Sequence, residues 1–326
     1  MMVRLKFSKS KIILLATTLV LSSFQIFAAE QHGVVKAHVR VNHKNVEAVQ
    51  SKFCKISMVF SAKVTGTGAF SLVKSGVCKV LDADGQIQKK DVVAKEFDPE
   101  LTSARSVDLE YQYLNDLSEH LDYFVKPVCH IISSENKHCI VMEHGGETLS
   151  DLMMRRQNKV FDDAFIRETG RRLSTVLDFV HKKYLLVHRD IKLDNILFDN
   201  GVFKIIDLGL MVPVGTEAKT GGSPFYVPNE SYENGKASGK MDVFSLGVML
   251  YRMKFGSYPQ ELIGKRSFEF DMQVMAFQYS KFNNLLDDAI AKEDDTMVSV
   301  ILRMIRPFSK ERPEMTEVKE LFEAMK

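Results

Sequence analysis

The residues best suited to chemistry gather in one short stretch, Val187-His188-Arg189-Asp190-Ile191-Lys192-Leu193-Asp194-Asn195-Ile196-Leu197. Within eight positions stand an imidazole, a guanidinium, carboxylates, an ammonium and an amide. Such a set can move protons and hold charged groups in place. Four identities (His188, Arg189, Asp190 and Asn195) at fixed spacing arise by chance in roughly 0.2% of chains this long. A plain polar loop before a strand is therefore a weak explanation. Twelve residues after Asn195 comes Asp207-Leu208-Gly209, behind the apolar run Val202-Phe203-Lys204-Ile205-Ile206. Alone it would be an ordinary strand end; its distance from Asn195 makes it informative.

The first stretch resembles the catalytic loop of eukaryotic-type serine/threonine protein kinases, His-Arg-Asp with Asn five residues after the Asp. Asp207-Leu208-Gly209 resembles that family's Asp-Phe-Gly, with Leu in place of Phe. Upstream, Gly66-Thr67-Gly68-Ala69-Phe70-Ser71-Leu72-Val73 resembles its glycine-rich loop, with Ser71 where a third glycine is usual. Glycines there let the backbone close over phosphates. The family's strand lysine falls on Lys95 in Val92-Val93-Ala94-Lys95, with Lys89 and Lys90 as neighbours. Its helix glutamate falls on Glu110. Asp108 and Glu119 compete, but only Glu110 has Leu four and seven residues on, Leu114 and Leu117. Gly222-Ser223-Pro224-Phe225-Tyr226-Val227-Pro228-Asn229-Glu230 resembles the end of an activation segment. Glu230 would pair with Arg312 of Glu311-Arg312-Pro313. Asp242-Val243-Phe244-Ser245-Leu246-Gly247-Val248 resembles the start of the central helix.

The resemblance implies transfer of the ATP γ-phosphate to Ser or Thr hydroxyls of a protein substrate. Asp190 would orient the acceptor hydroxyl and take its proton. Asn195 and Asp207 would hold two Mg²⁺, hard ions that take oxygen ligands, with Mn²⁺ as the alternative. Lys192 would steady the transferring phosphate, and Lys95, paired with Glu110, would hold the α- and β-phosphates. Gly66, Gly68, Val73 and Val93 would line the nucleotide. Met142 would control access behind the adenine, and Glu143, His144 and Gly145 would be the hinge to it. Arg189 would bind a phosphate on Thr216 or Thr220, and Ser223 fits the serine/threonine class. His188 would be structural, and Asp242 a buried acid bonded to the catalytic-loop backbone. Two other readings stay open. One is a nucleotide-binding pseudokinase, resting on Val93, Ser71 and Pro228-Asn229-Glu230. The other is a small-molecule kinase of related fold.

The fold this implies is α+β and bilobal: a strand-rich first lobe at 55–142, a hinge at 143–146 and a helical second lobe at 147–326. Strand-like runs lie at Ile56–Phe60, Phe70–Val73, Val77–Leu81 and Val92–Phe97, broken near Gly66, Gly76 and Asp82-Ala83-Asp84-Gly85. A helix follows through Val107, Leu109, Leu114, Leu117 and Leu121, then a hairpin of Val125–Ile132 and Cys139–Met142 about Ser133–Asn136. Beyond it, Asp162–Lys182 carries one apolar stripe. Asp242–Met253 is apolar nearly all round, as a helix inside a domain would be. Thr316–Met325 is amphipathic.

The chain has 326 residues and a formal charge of +2, which argues against a strongly basic nucleic-acid binder. Residues 1–28 hold Arg4, Lys6, Lys9 and Lys11 and no acid, so the remainder carries 40 of the 44 basic residues against 42 acidic ones. The basic start runs into an apolar stretch ending at Phe27-Ala28-Ala29, which reads as a signal peptide with Ile26 and Ala28 three and one before the cut. An uncleaved signal anchor is the alternative. No stable membrane span is expected after cleavage. The expectation is an exported protein, secreted or periplasmic, with residues 29–54 as an extension before the kinase domain. ATP is scarce outside cells, so a host cell entered by a secreted protein, with host proteins as substrates, fits best. Export permits a disulfide between Cys129 and Cys139 across the hairpin, and four free thiols, with Cys54 and Cys78, are the equal alternative.

Overall fold

The computed structural model describes residues 4–6, 24–31, 34–41, 56–67, 71–81, 87–132, 138–218, 221–231, 235–259 and 283–325. Of the residues singled out above, Lys9, Lys11, Cys54, Gly68, Ala69, Phe70 and Thr220 lie outside the described residues, as do residues 7–23 of the expected signal segment and both turns at 82–85 and 133–136. The chain divides into two units, Met1–Gly145 and Gly146–Lys326.

The described strands of the first unit are β1 (Arg4–Lys6), β2 (Phe24–Gln31), β3 (Val34–Val41), β4 (Ile56–Thr67), β5 (Ser71–Leu81), β6 (Ile87–Phe97), β7 (Pro127–Ile132) and β8 (His138–Glu143). They form one sheet in the order β1-β7-β8-β6-β5-β4-β3-β2, with antiparallel pairings throughout. Side chains alternate across such a sheet, and directly opposed residues share a face. On β6, Val92 and Ala94 are buried in a core with Cys78, Val128, Cys129 and Val141. Val93 and Lys95 therefore take the other face. Val73 of β5 stands opposite Lys95, and Met142 of β8 opposite Val93.

Helix α1 (Ala104–His120) starts at Ser103, whose hydroxyl accepts from the Ser106 backbone N–H at 3.2 Å. It buries Val107, Tyr111, Leu114 and Leu117, and Glu110 sits among them. Each such apolar side chain contributes about 1.5–3 kcal/mol. Leu109 departs from the predicted stripe and is exposed. It lies two residues from both Val107 and Tyr111, and two helical steps turn a side chain to the opposite flank.

Gly76 does not break a strand. It lies inside β5, opposite Phe60 on one side and Val92 on the other. Ladder partners on both edges outweigh the weak local preference of a glycine. Part of the extension joins the sheet: β3 pairs with β4, and β2 pairs with β3 across the position of the expected cut. The predicted hairpin is β7–β8. Cys129 stands opposite Val141 and Cys139 opposite Ile131, so the two cysteines are diagonal rather than opposed. Diagonal positions lie about 7–8 Å apart, beyond the reach of a disulfide. Cys78, Cys129 and Cys139 are free thiols. Burial, with Glu96 beside it, pushes the Cys139 thiol up to about 12, which keeps it unreactive.

The second unit holds β9 (Glu147–Thr148), α2 (Leu149–Arg155), α3 (Asp163–Phe179), β10 (Leu186–Val187), β11 (Ile196–Asp199), β12 (Val202–Ile205), β13 (Val212–Pro213), α4 (Gly239–Phe255), α5 (Thr296–Met304) and α6 (Met315–Ala324). β12-β11-β9 and β10-β13 are small antiparallel sheets. α3 is capped by Asp162 and ends in a π-turn, Val180–Tyr184, so its α geometry stops short of the predicted Lys182. α4 is buried nearly all round, as its apolar composition predicts, and packs against α3 and α5. Among the described residues, no helix is long and apolar enough to cross a membrane.

Candidate active site

In the first unit the site is a row on one sheet face. Gly66 stands opposite Val73, and Val73 opposite Lys95. α1 lies over this face and brings Glu110 to Lys95, with Nζ to Oε1 at 2.7 Å and both side chains buried. A buried charge of either sign is costly alone, so each holds the other in place. The Lys95 ammonium also lies 5.0 Å from the centre of the Phe97 ring. The competing residues are accounted for: Lys90 pairs with Glu143 at 2.9 Å, Lys89 and Glu119 are exposed, and Asp108 approaches His130. Val93 and Met142, in register, form the neighbouring row. Glu143 is the last residue of β8, and the His144 N–H donates to the Asp91 carbonyl at 3.0 Å. Gly145 closes the unit.

In the second unit a hairpin brings the metal-ligand candidates together. Asn200-Gly201 forms the two-residue turn between β11 and β12, with both residues at positive φ (46° and 85°). This pair is the strongest short hairpin signal a sequence offers. The hairpin begins right after Asn195 and ends two residues before Asp207, and the Ile206 N–H donates to the Asn195 carbonyl at 3.0 Å. The ends of the hairpin are thus joined where the two candidates stand. Asp207 is held at φ 62° and Arg189 at φ 69°. Strained backbone of this kind costs about 1–3 kcal/mol and persists only where its surroundings fix it.

Asp190 is buried, and both its carboxylate oxygens are engaged. Oδ2 accepts from Lys192 Nζ at 2.8 Å and from Asn195 Nδ2 at 2.9 Å. Oδ1 accepts from the Ser223 N–H at 3.1 Å and lies 3.1 Å from the Ser223 hydroxyl. Lys192 Nζ also donates to that hydroxyl, at 2.7 Å. The contact with Ser223 depends on Gly222, at φ 109°, where a Cβ would come within 3.0 Å of the Arg189 carbonyl oxygen. A side chain there would push the segment off the loop. Asn195 Nδ2 donates a second bond to the Asp190 carbonyl at 2.8 Å, and the Asp190 N–H donates to His188 Nδ1 at 3.2 Å. His188 is wholly buried.

Asp242 anchors the loop from α4. It accepts from the backbone N–H groups of His188 at 2.9 Å and Arg189 at 2.8 Å. Burial alone would raise its carboxyl, but the hydrogen bond and charge of His181, with those of His188, override it and hold the group below its ordinary value. His181, whose Nε2 lies 2.8 Å from Asp242, is a residue sequence reasoning missed. The signal was indirect: a buried acid needs a partner, and His181 stands just past the last apolar residue of the α3 stripe. Burial lowers the Arg189 guanidinium against the opposing effect of Asp242. A side chain at Gly221 would begin 3.8 Å from Arg189 Nη2, so the guanidinium lies beside the segment one residue after Thr220. Thr216 is exposed, and its hydroxyl donates to the Pro213 carbonyl at 2.7 Å. Glu230 and Arg312 meet as predicted from the motifs, with Arg312 Nη2 2.7 and 2.6 Å from the two Glu230 oxygens.

A family model described as a protein kinase domain matches residues 61–321. The carbon catabolite-derepressing protein kinase of Candida albicans is 31% identical over 203 residues, covering 60% of this chain and 31% of that protein. The RAC-beta serine/threonine-protein kinase of Homo sapiens is 32% identical over 143 residues, 42% of this chain and 29% of that protein. The hormonally up-regulated neu tumor-associated kinase of Mus musculus is 33% identical over 141 residues, 40% and 19% of the two chains. The chain spans less than a third of the length of each of these relatives. Among solved structures, the Cydia pomonella granulovirus kinase PK-1 aligns with a TM-score of 0.55 at 20% identity, covering 76% of this chain and 88% of that one. That likeness speaks for the fold. A chain matched over most of its length, folded as a protein kinase and carrying the motifs in order, belongs to the protein kinase domain family.

Proposed function

We propose that this chain is an active serine/threonine protein kinase, transferring the γ-phosphoryl group of ATP to a Ser or Thr hydroxyl of a protein. The observation that carries this reading is the group around Asp190. The Ser223 hydroxyl sits within hydrogen-bond distance of both the Asp190 carboxylate and the Lys192 ammonium. An alcohol of serine type therefore fits between a base and a cation. Asp190 would hold the acceptor hydroxyl and take its proton as the oxygen attacks. Lys192 would place positive charge beside the same oxygen and the incoming phosphoryl group. Lys95, fixed by Glu110, would hold the α- and β-phosphates.

The donor set fits Mg²⁺. The amide nitrogen of Asn195 is spent on Asp190, which leaves its amide oxygen for an ion. Asp207 adds a carboxylate from the adjoining segment, and oxygen atoms are what a hard divalent ion takes. When bound, such ions neutralise phosphate charge during transfer. Lys95→Met is expected to lower transfer by about 10²–10³-fold, with far-ultraviolet circular dichroism unchanged. Wild-type transfer by that variant would remove Lys95, and the reading with it.

We also propose export directed by residues 1–28, on their basic start and apolar stretch. Cleavage after Ala28 would shorten β2, the end strand of the sheet order, and leave its pairing from Ala29 to Gln31. N-terminal sequencing of protein recovered outside the expressing cell is expected to begin at Ala29. A chain that keeps Met1 and stays inside contradicts it.

A further inference from the structure

Away from the catalytic residues, the far end of α3 carries two departures from regular geometry side by side. The helix does not stop at Phe179 but widens into the π-turn Val180–Tyr184. π geometry is rare, and a single turn of it is frequently found at a functional site. The next residue, Leu185, is held at φ 54°. Glycine or asparagine adopts that conformation readily, whereas leucine is strained in it. Burial does not compensate, because Leu185 is 60% exposed. A residue that breaks the local rule without packing into the core points to a role outside the core.

The two departures gather apolar side chains at the surface. A π-turn closes on the fifth residue, which brings Tyr184 round to Phe179 with ring centres 6.1 Å apart. Phe179 is 43% exposed. The Leu185 carbonyl accepts from the Val214 N–H at 2.8 Å, which extends the β10–β13 register by one pair. Val214 is 44% exposed, and Pro213 before it is exposed as well. Phe179, Leu185, Pro213 and Val214 are thus linked through Tyr184 and that hydrogen bond. Single exposed apolar residues need no explanation, but a joined group marks an interaction surface.

The exposed charges beside this group are positive. Lys182 and Lys183 follow Phe179 by three and four residues, and both are exposed. The acid beneath them, Asp178, is buried and already accepts from Lys182 at 3.1 Å and from the Thr316 hydroxyl at 2.7 Å. Glu217, the exposed acid that follows Val214 along the chain, stands opposite Lys236.

We propose that this face docks an acidic segment of a partner protein, in which carboxylates flank a bulky apolar side chain. Phe179, Leu185 and Val214 take the apolar side chain, and Lys182 and Lys183 face the carboxylates. The ammoniums set the sign of the partner, since a basic segment would meet like charge from both. The proposal does not rest on the kinase activity proposed above.

The test uses the full chain as bait for a random dodecapeptide library displayed on phage. Selected peptides are expected to carry Asp or Glu on either side of a Leu, Ile or Phe. Made synthetically with a fluorophore, they are expected to bind Leu185→Asn and Lys183→Glu each at least about 10-fold more weakly than wild type. Binding to wild type is expected to weaken as salt rises. Lys183→Glu leaves the bond between Lys182 and Asp178 in place. Asparagine accepts a positive φ, so Leu185→Asn is expected to unfold at the wild-type temperature or above it. A leucine with a merely structural role would instead lower that temperature. Selected peptides without acidic residues, or acidic peptides whose binding neither variant weakens, overturn the site. So does a selection in which no peptide binds wild type better than Leu185→Asn. Cosedimentation with phosphatidylserine vesicles, or a dimer in sedimentation velocity, lost in Leu185→Asn, would give the face to a membrane or to a second copy and overturn the proposal as well. No readout involves phosphoryl transfer, so failure here leaves the proposed kinase activity standing.

Discussion

Asp190→Asn is expected to slow phosphoryl transfer by about 10²–10⁴-fold, the usual share of a positioned general base. The substitution keeps the shape of the side chain and removes its charge and its basicity. It also puts an NH₂ group where a carboxylate oxygen now accepts. One side of Asp190 receives bonds from Lys192 and Asn195, the other from the Ser223 N–H. Whichever way the amide turns, it sets a donor against a donor. An unmatched buried group of this kind costs about 1–3 kcal/mol, which lowers stability without unfolding the unit. Initial rates measured beside thermal unfolding separate the two effects. A rate within a few-fold of wild type would mean that Asp190 is not the base.

Arg312→Met is expected to destabilise the second unit by about 3–5 kcal/mol, or roughly 6–20 °C in unfolding temperature. The Arg312 side chain is fully buried. Its Nη2 bonds both oxygens of Glu230, and its Nη1 donates to the Lys240 carbonyl at 2.6 Å. Lys240 Nζ returns a bond to the Arg312 carbonyl at 3.0 Å, and the guanidinium stands 5.3 Å from the centre of the Phe244 ring. Burial lowers the guanidinium and Glu230 opposes that effect, which is the balance of a pair whose members depend on each other. Methionine fills much of the volume but leaves the largely buried Glu230 without its cation. The double variant Glu230→Gln, Arg312→Met is expected to recover part of the loss, because no charge then lacks its partner. A loss below about 1 kcal/mol for Arg312→Met would show that the pair is ordinary surface charge.

The residues of the second unit were legible because their identities and spacing are local. His188 to Asn195 is one loop, and Asp207 follows Asn195 at a short, fixed distance. Lys95 and Val93 were chosen on the resemblance to the family's lysine strand, and the ladder places both on one face. What lay hidden depends on register between strands. Gly76 reads as a break from its own neighbours, yet β4 and β6 hold it in a ladder. Cys129 and Cys139 flank one hairpin, but the register pairs Cys129 with Val141 and Cys139 with Ile131, which makes them diagonal. Ser223 reached Asp190 through a positive φ at Gly222, which spacing along the chain does not encode.

The most direct measurement is transfer itself. The full chain is incubated with γ-labelled ATP, Mg²⁺ and a generic protein substrate, and the labelled amino acids are separated after hydrolysis. Label on serine or threonine of the added protein, absent when Mg²⁺ is chelated, is the predicted result. Nucleotide bound without label reaching any protein would contradict it and leave a binding module on a kinase fold.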